Sequence, residues 1–157
     1  LGLRFENGEI KQCKTQKLRL IEPDSDELEY PKVTFSSILN LPSADFEKII
    51  RDLSVISDTL EIKSVGNELI FKCQGTFASA EIRRTETDGS MEFQKKQDPS
   101  HIIQGEFSLK NLSYFIKCTG LCGQIEMFLD NERPLVVKYN VASLGEIKLC
   151  LAPLPSS

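Results

Sequence analysis

Cysteine and histidine, the residue types that most often attack substrates or bind metals, are few in this chain. Its 157 residues include five cysteines and one histidine, His101, and only Cys118 and Cys122 stand close together. A cysteine nucleophile needs a nearby histidine as base, and a metal or redox site needs further ligands. His101, the one histidine that could serve as such a base, stands in a polar segment beside Pro99, with no sign of a catalytic role. The pattern therefore favours cysteines that serve as small apolar residues.

Other catalytic patterns are missing from the sequence. It contains no glycine-rich phosphate loop, no cluster of metal ligands and no paired acid and base at a recognisable spacing. A hydrolase with an Asp/Glu pair, or with Cys118 or Cys122 as nucleophile, is the alternative from another class. We expect a protein that is not an enzyme and needs no cofactor or metal. The odd, scattered cysteines are typical of a reducing compartment.

Basic residues occur at helical spacing in two segments. Lys48 and Arg51 are three apart, and Lys110 and Lys117 are seven apart, so each pair falls on one helix face. The net charge of −4 argues against nucleic-acid binding by composition alone. In an arbitrary protein such residues form a solvated surface, so the spacing by itself assigns no role.

Two amphipathic helices must present these basic residues. Ser43 is the predicted N-cap of the first and Ser108 of the second. Their apolar faces consist of Phe46, Ile49, Ile50 and Leu53 in the first helix and Leu109, Leu112, Phe115 and Ile116 in the second.

Strands surround both helices from residue 33 onward. Alternation predicts them at Val33–Leu41, Thr59–Lys63, Glu68–Cys73, Thr76–Arg84, Ile102–Phe107, Gln124–Leu129, Leu135–Val141 and Gly145–Leu151, with a short strand at Met91–Phe93 inside the polar loop 85–100. The order is β-α-β-β-β twice. This order predicts an α+β fold of repeated β-α-β-β-β units, with antiparallel sheets and two helices on one face.

The first 32 residues differ from the rest. Residues 1–19 read as two strands joined at Asn7-Gly8, and residues 20–32 are acidic and bracketed by Pro23 and Pro31. We interpret 20–32 as an extended linker between domains. The opening alternates like a strand, lacks a signal peptide and does not start with Met, which suggests a fragment. No apolar run approaches the ~20 residues of a membrane span.

The end of the chain carries a specific pattern. Residues 134–153 read as a β-hairpin of the form P-L-V-V-x-Y-x-V-A-x-L-G-x-I-K-x-x-L-A-P. This pattern closely resembles the C-terminal end of the proliferating cell nuclear antigen (PCNA) family of sliding DNA clamps. Residues 41–53 resemble that family's M-P-S-x-E-F-x-x-I-x-R-D-L, and residues 108–117 resemble its second helix. The joint order of these segments makes the resemblance specific.

The resemblance implies a domain organisation within the DNA-clamp (processivity) fold. Residues 1–19 would be the last two strands of a truncated first clamp domain. Residues 20–32 would be the interdomain connecting loop, and residues 33–157 the second, C-terminal domain.

The resemblance also implies a function. Such clamps are rings that encircle double-stranded DNA without sequence preference and make DNA polymerase processive. The implied partners are DNA, DNA polymerase, the clamp loader and other PCNA-interacting-peptide proteins, with a homotrimer for the full-length chain and no membrane. The implied location is the nucleus, or a viral replication site. A checkpoint-type or virus-encoded clamp relative is the alternative, and the terminal L-A-P favours the replicative type.

Two further sites follow from the resemblance. The DNA-facing residues would be Lys48, Arg51, Lys110 and Lys117, because the family's helices line the central hole. The partner-peptide pocket would be formed by Leu28, Tyr30, Pro31, Phe35, Pro134, Leu151, Ala152 and Pro153. This chain departs from the family at Tyr30 and in its Leu154-Pro155 tail, so its peptide preference is expected to differ.

Subunit contacts and regulation complete what the resemblance implies. Edge strands near 12–17 and 77–84 would pair between subunits. The subunit-interface residues would be Cys13, Thr15, Lys17, Phe77, Ser79, Glu81 and Arg83. Gly66 stands where many eukaryotic clamps carry a modifiable lysine, so modification at that turn is not expected.

Overall fold

The computed structural model of the protein describes residues 1–20, 33–87, 90–96, 98 and 100–155. The chain divides into two compact units, Leu1–Val33 and Thr34–Ser157. Neither α-helix in the described ranges is both long and apolar enough to cross a membrane. The predicted linker 20–32 lies almost wholly outside the described residues, so its role stays a prediction.

The first unit contains one antiparallel β-hairpin among its described residues, 1–20 and 33. Strand β1 (Gly2–Asn7) pairs with β2 (Gln12–Lys17), which begins three residues later than the sequence predicted. The reason is local, since the Asn7 side-chain carbonyl accepts hydrogen bonds from the amides of Glu9 (3.0 Å) and Ile10 (3.4 Å). This Asx-type turn bends the chain over four residues instead of two.

The second unit contains nine strands and two α-helices among its described residues. In chain order they are β3 (Ser37–Pro42), α1 (Ser43–Ser54), β4 (Thr59–Val65), β5 (Glu68–Gln74), β6 (Ser79–Thr85), β7 (Glu92–Lys95), β8 (Ile102–Ser108), α2 (Leu109–Phe115), β9 (Gln124–Leu129), β10 (Leu135–Val141) and β11 (Gly145–Leu151). Two 3₁₀ helices, Ile116–Leu121 and Ala142–Leu144, follow α2 and β10.

The strands form two antiparallel sheets. One has the order β11-β10-β9-β3-β7 and the other the order β6-β5-β4-β8. The chain order contains β-α-β-β-β twice, with β7 between the repeats. The predicted α+β fold with antiparallel sheets and two helices is therefore confirmed.

The start of α1 differs from the prediction. Pro42 occupies the N-cap position and makes no side-chain cap, whereas Ser43 is the first helical residue. The buried Ser43 hydroxyl donates to the carbonyl of Cys122 at 2.6 Å and lies 3.3 Å from that of Thr119. Ser43 thus fastens α1 to the segment after α2 and does not cap its own helix. Ser108 does cap α2, accepting from the Asn111 amide.

Two strands of the second unit, β3 and β6, begin three or more residues later than predicted, and β7 (Glu92–Lys95) begins one residue later than the predicted Met91–Phe93. The described part of β3 starts at Ser37 instead of Val33, because β9 ends at Leu129, directly opposite Ser37. Strand β6 starts at Ser79, since the Gly75 amide bonds the Ala78 carbonyl and closes a turn. A Cβ atom at Gly75 would lie 1.9 Å from the Ile56 carbonyl oxygen, so this turn requires glycine.

The core of the second unit combines both sheets and both helices. The two helices pack against each other, α1 also contacts β3 and β9, and α2 contacts β4, β8 and β11. The predicted apolar faces are buried: Phe46, Ile49, Ile50, Leu53, Leu109, Leu112, Phe115 and Ile116. The opposite faces of the helices are therefore free to carry charge.

Candidate functional site

The basic residues of α1 lie on its exposed face, as predicted. Lys48 and Arg51 are both exposed, and Arg51 forms an i,i+4 ion pair of 2.6 Å with Glu47. Asp45, in the first turn of α1, forms an ion pair with Arg84 on β6. Two of the acidic side chains of α1 are thus paired with arginines, which reduces the negative field beside Lys48.

The second helical segment carries positive charge alone. Lys110 and Lys117 are exposed, and no acidic residue occurs between Ser108 and Gly123. The ammonium of Lys117 lies 5.2 Å from the centre of the Tyr114 ring, a cation–π contact. The sequence predicted that Lys110 and Lys117 share one α-helical face. Because α2 ends at Phe115, Lys117 instead belongs to the following 3₁₀ helix, and this prediction was wrong.

Buried polar contacts fix the position of these helices. The Tyr139 hydroxyl donates to the Phe115 carbonyl at 3.0 Å, at the end of α2. Burial of this side chain raises the pKa of its phenol well above the ordinary value of 10.0. Together with Ser43, Tyr139 anchors the surface that carries the basic residues.

The predicted peptide-pocket residues of the C-terminal hairpin meet at its open end. Leu151 pairs with Leu135 at the end of the β10–β11 ladder, and its half-buried side chain packs against the core. Pro134 immediately precedes Leu135 and Ala152 immediately follows Leu151, just beyond the ends of the two strands, and both are exposed. Pro153 comes next and is half-buried.

Phe35 lies elsewhere, on the opposite face of the five-stranded sheet. Its ring centre is 5.5 Å from that of Phe128, which pairs across the sheet with Val136. Val136 is only 4% exposed although it lies outside the core cluster. The structure therefore separates Phe35 from Leu151, whose side chain faces the core.

Sequence reasoning missed Phe128 and Val136. The signal was the run Leu135-Val136-Val137, because consecutive buried residues in a strand indicate that both sheet faces are covered. Leu28, Tyr30 and Pro31 lie outside the described residues, so their part in a pocket stays a prediction.

The predicted subunit-contact residues lie on two exposed strands. Cys13, Thr15 and Lys17 alternate along β2 and are all exposed. Ser79, Glu81 and Arg83 alternate along β6, an edge strand of its sheet. Phe77 lies in the turn before β6 and is 76% exposed. An exposed aromatic ring beside an edge strand is a common feature of interfaces.

The charged side chains Glu81 and Arg83 of β6 form ion pairs with each other and with the neighbouring strand β5. The Arg83 guanidinium bonds the Glu81 carboxylate at 2.6 Å and lies 3.7 Å from that of Glu68. The hydrogen bond from Arg83 lowers the pKa of Glu81, opposed by some desolvation. Neither residue is thereby prepared for proton transfer near neutral pH.

The cysteines do not assemble a reactive centre in the described part of the chain. There, none of the five forms a disulfide, and no three His, Cys, Asp or Glu side chains group as metal ligands. The Cys122 thiol contacts the Gln124 carbonyl at 2.9 Å.

The sequence matches a known family, and the fold is consistent with it. Residues 29–154 match the family model described as proliferating cell nuclear antigen, C-terminal domain. The chain belongs to the PCNA family, and its α+β architecture is the clamp fold.

Named relatives are both viral and cellular. The chain is 34% identical over 149 residues to a probable DNA polymerase sliding clamp of Acanthamoeba polyphaga mimivirus, covering 95% of this chain and 31% of that protein. It is 33% identical to probable DNA polymerase sliding clamp 1 of Paramecium bursaria Chlorella virus 1, covering 99% and 60%. It is 31% identical to proliferating cell nuclear antigen 2 of Drosophila melanogaster, covering 98% and 59%. The chain thus spans 31–60% of the lengths of these relatives.

Proposed function

We propose that this chain is the C-terminal part of a ring-shaped sliding clamp that encircles duplex DNA and acts as a DNA polymerase processivity factor. Family membership supports the class. The observation that carries the proposal is the segment from α2 to Gly123, where Lys110 and Lys117 are exposed and acidic residues are absent. Phosphate contacts from such a surface attract DNA without reading its sequence, as sliding requires.

Lys48 and Arg51 would contribute to the same DNA-facing surface. The Asp45–Arg84 and Glu47–Arg51 pairs reduce the repulsion that α1 would otherwise exert on phosphate. The net charge of −4 argues against strong intrinsic DNA affinity. The ring itself would therefore keep the protein on DNA.

Partner proteins would bind beside the open end of the C-terminal hairpin. In this proposal Leu28, Tyr30 and Pro31 join Pro134, Leu151, Ala152 and Pro153 to receive the aromatic and aliphatic anchors of a PCNA-interacting peptide. Phe35 would support this site from the other sheet face, through Phe128 and Val136. The partners would include DNA polymerase and a clamp loader, and the protein would be non-catalytic.

Assembly would be a homotrimer of longer chains, in which residues 1–19 belong to a first clamp domain and residues 33–157 form the second. Strand β2 of one subunit would pair with β6 of the next, bringing Cys13, Thr15 and Lys17 against Phe77, Ser79, Glu81 and Arg83. The location would be the nucleus, or a viral replication site if the gene is viral. A checkpoint-type clamp is the alternative within the fold. Gly66, at a φ of 57°, occupies a backbone conformation that favours glycine over a modifiable lysine.

The test uses a full-length clamp that carries this chain, loaded onto nicked circular DNA by its clamp loader. We expect it to sediment as a trimer, to remain on circles and to leave the same DNA after linearisation. Lys110→Ala with Lys117→Ala should lower the salt slope of DNA engagement by about 1 for each lost phosphate contact. The matched control is Lys72→Ala with Lys148→Ala, which removes the same charge from sheet strands. A stable monomer at micromolar concentration, or equal slopes for both variants, would contradict the proposal.

A further inference from the structure

Strand β8 is an edge of the four-stranded sheet, and part of its outer backbone is already bonded. The side-chain amide of Asn131 donates to the Ile102 carbonyl at 3.0 Å and accepts from the Gln104 amide at 2.8 Å. The Leu154 amide donates to the Glu106 carbonyl at 2.7 Å. A residue of an antiparallel strand presents its N–H and C=O to the same side, so residues 102, 104 and 106 all face away from β4.

Two outward groups lie between these contacts, the Gln104 carbonyl and the Glu106 amide. We call them the open backbone pair, because neither bonds to any residue that the structure describes. The Ile102 carbonyl and the Gln104 amide, which both bond to Asn131, have the same arrangement: a carbonyl followed two residues later by an amide. Asn131 thus shows that one peptide-like group can bridge such a pair.

A groove of about 780 Å³ surrounds the open backbone pair. One wall is the half-exposed tail Pro153-Leu154-Pro155, and another carries the carboxylates of Glu61, Glu106 and Glu132. Pro155 has no amide hydrogen, so it cannot donate a strand hydrogen bond to the open pair. The groove therefore combines an apolar wall, a negative wall and unpaired strand backbone.

The negative wall contains a like-charge pair. Glu61 on β4 and Glu106 on β8 lie directly opposite each other in the ladder, an arrangement that is destabilising unless a cation intervenes. Lys63 lies 3.1 Å from Glu61. No Lys or Arg among the described residues forms an ion pair with Glu106 or Glu132. Positive charge delivered to this edge would be complementary to the groove.

We propose that β8 binds an extended peptide segment of a partner protein, which adds as a short strand in this groove. One residue of the segment donates its N–H to the Gln104 carbonyl and accepts from the Glu106 N–H, as a residue of a parallel strand does. The next residue is Lys or Arg, because side chains alternate and this position falls on the face of Glu61 and Glu106. The tail Pro153-Leu154-Pro155 flanks the segment. All residues of the site belong to this chain, so the 157-residue chain is sufficient to test it.

The probe is the peptide acetyl-Thr-Val-Lys-Thr-amide, titrated into the ¹⁵N-labelled 157-residue chain and followed by NMR. We expect saturable binding that moves the Glu106 amide signal downfield. Methylating the backbone nitrogen of the peptide valine should weaken binding about fivefold, the equivalent of one hydrogen bond. Exchanging the peptide lysine for glutamate should abolish binding.

Variants of the protein test the role of charge. Glu106→Gln should weaken the lysine peptide about two- to fivefold, as expected for an exposed ion pair. Glu68→Gln is the matched control, because Glu68 lies on the same sheet face outside the groove. Far-UV circular dichroism should confirm that both variants are folded.

Three outcomes would overturn the proposal. The first is an unmoved Glu106 signal at millimolar peptide. The second is equal binding of the N-methylated peptide. The third is slow hydrogen exchange of the Glu106 amide in the free chain. If protection of the Glu106 amide from hydrogen exchange does not change with protein concentration, the C-terminal end of the same chain occupies the groove. If this protection rises with concentration, a second copy of the chain occupies it.

Discussion

Ser37 on β3 and Ser64 on β4 share a buried hydrogen bond, with 2.9 Å between their hydroxyl oxygens. Because β3 belongs to the five-stranded sheet and β4 to the four-stranded sheet, this bond joins the two sheets inside the second unit. Both side chains are almost completely buried, so each hydroxyl depends on the other in place of water.

A double-mutant cycle tests this dependence. Ser37→Ala or Ser64→Ala alone should lower the free energy of unfolding by about 1–3 kcal/mol, because each leaves a buried hydroxyl without its partner. The double variant should lose clearly less than the sum of the two single losses. Urea unfolding measures all four proteins. Additive losses would mean that the two hydroxyls stabilise the fold independently.

The turn of the C-terminal hairpin offers a second prediction. Ala142 has a φ of 42°, and Gly145 has φ 124° and ψ −147°, a region that is almost restricted to glycine. Ala142→Gly should leave the free energy of unfolding unchanged or raise it by up to about 1 kcal/mol. Gly145→Ala should lower it by about 1–3 kcal/mol. Ala44→Gly in α1 is the control and should lower the free energy of unfolding, because glycine is less favourable than alanine within a helix. A lower free energy of unfolding for Ala142→Gly would contradict the prediction.

The raised pKa of Tyr139 implies that the free energy of unfolding depends on pH in the alkaline range. Its pKa is raised in the folded state, mainly by burial, so above about pH 10 the unfolded chain loses this proton while the folded chain keeps it. The corresponding stability is complete below pH 10 and decreases as pH rises further. Tyr139→Phe should cost about 1–2 kcal/mol at pH 7, because the Phe115 carbonyl loses its donor, and should flatten the decline above pH 10. Chemical unfolding between pH 7 and 11 measures both effects, and an equally steep decline in the variant would assign it to other groups.

The proposed peptide pocket predicts a graded loss of binding. Leu28→Ala and Pro153→Ala should each weaken a PCNA-interacting peptide about tenfold, the usual effect of truncating an interface anchor. Leu144→Ala, at the closed end of the same hairpin and 88% exposed, is the control and should bind normally. Isothermal titration calorimetry on folded variants provides the affinities. Unchanged affinity in both pocket variants would exclude this site.

Periodic segments were predictable from the sequence. The apolar faces of α1 and α2 and the duplicated β-α-β-β-β order follow from spacing alone, because the buried positions repeat with the helix or strand period. The strand bounds of β9, β10 and β11 were also correct. In contrast, the predicted Asn7-Gly8 turn was too short, since the sequence does not reveal that the Asn7 side chain would bond two amides.

Contacts between distant segments could not be predicted. Ser43 has the residue type of an N-cap, but its hydroxyl bonds carbonyls near the far end of the unit, which no local pattern encodes. The family resemblance placed Phe35 with Leu151. Phe35 precedes β3, however, and its ring lies beside Phe128 on the sheet face that points away from the core, whereas Leu151 packs against the core. The end of α2 at Phe115 likewise moved Lys117 into a 3₁₀ helix. The DNA, peptide and subunit residues remain predictions from the family resemblance.

The position of β3 has a consequence for biosynthesis. This strand lies between β9 and β7 in the five-stranded sheet, yet it leaves the ribosome early, long before β9 and β10. Until those strands emerge, nascent β3 lacks its main partner and exposes the apolar residues that later become the core. A nascent chain on a ribosome that has paused before Gln124 should therefore need chaperone protection most, because β9 has not yet been made.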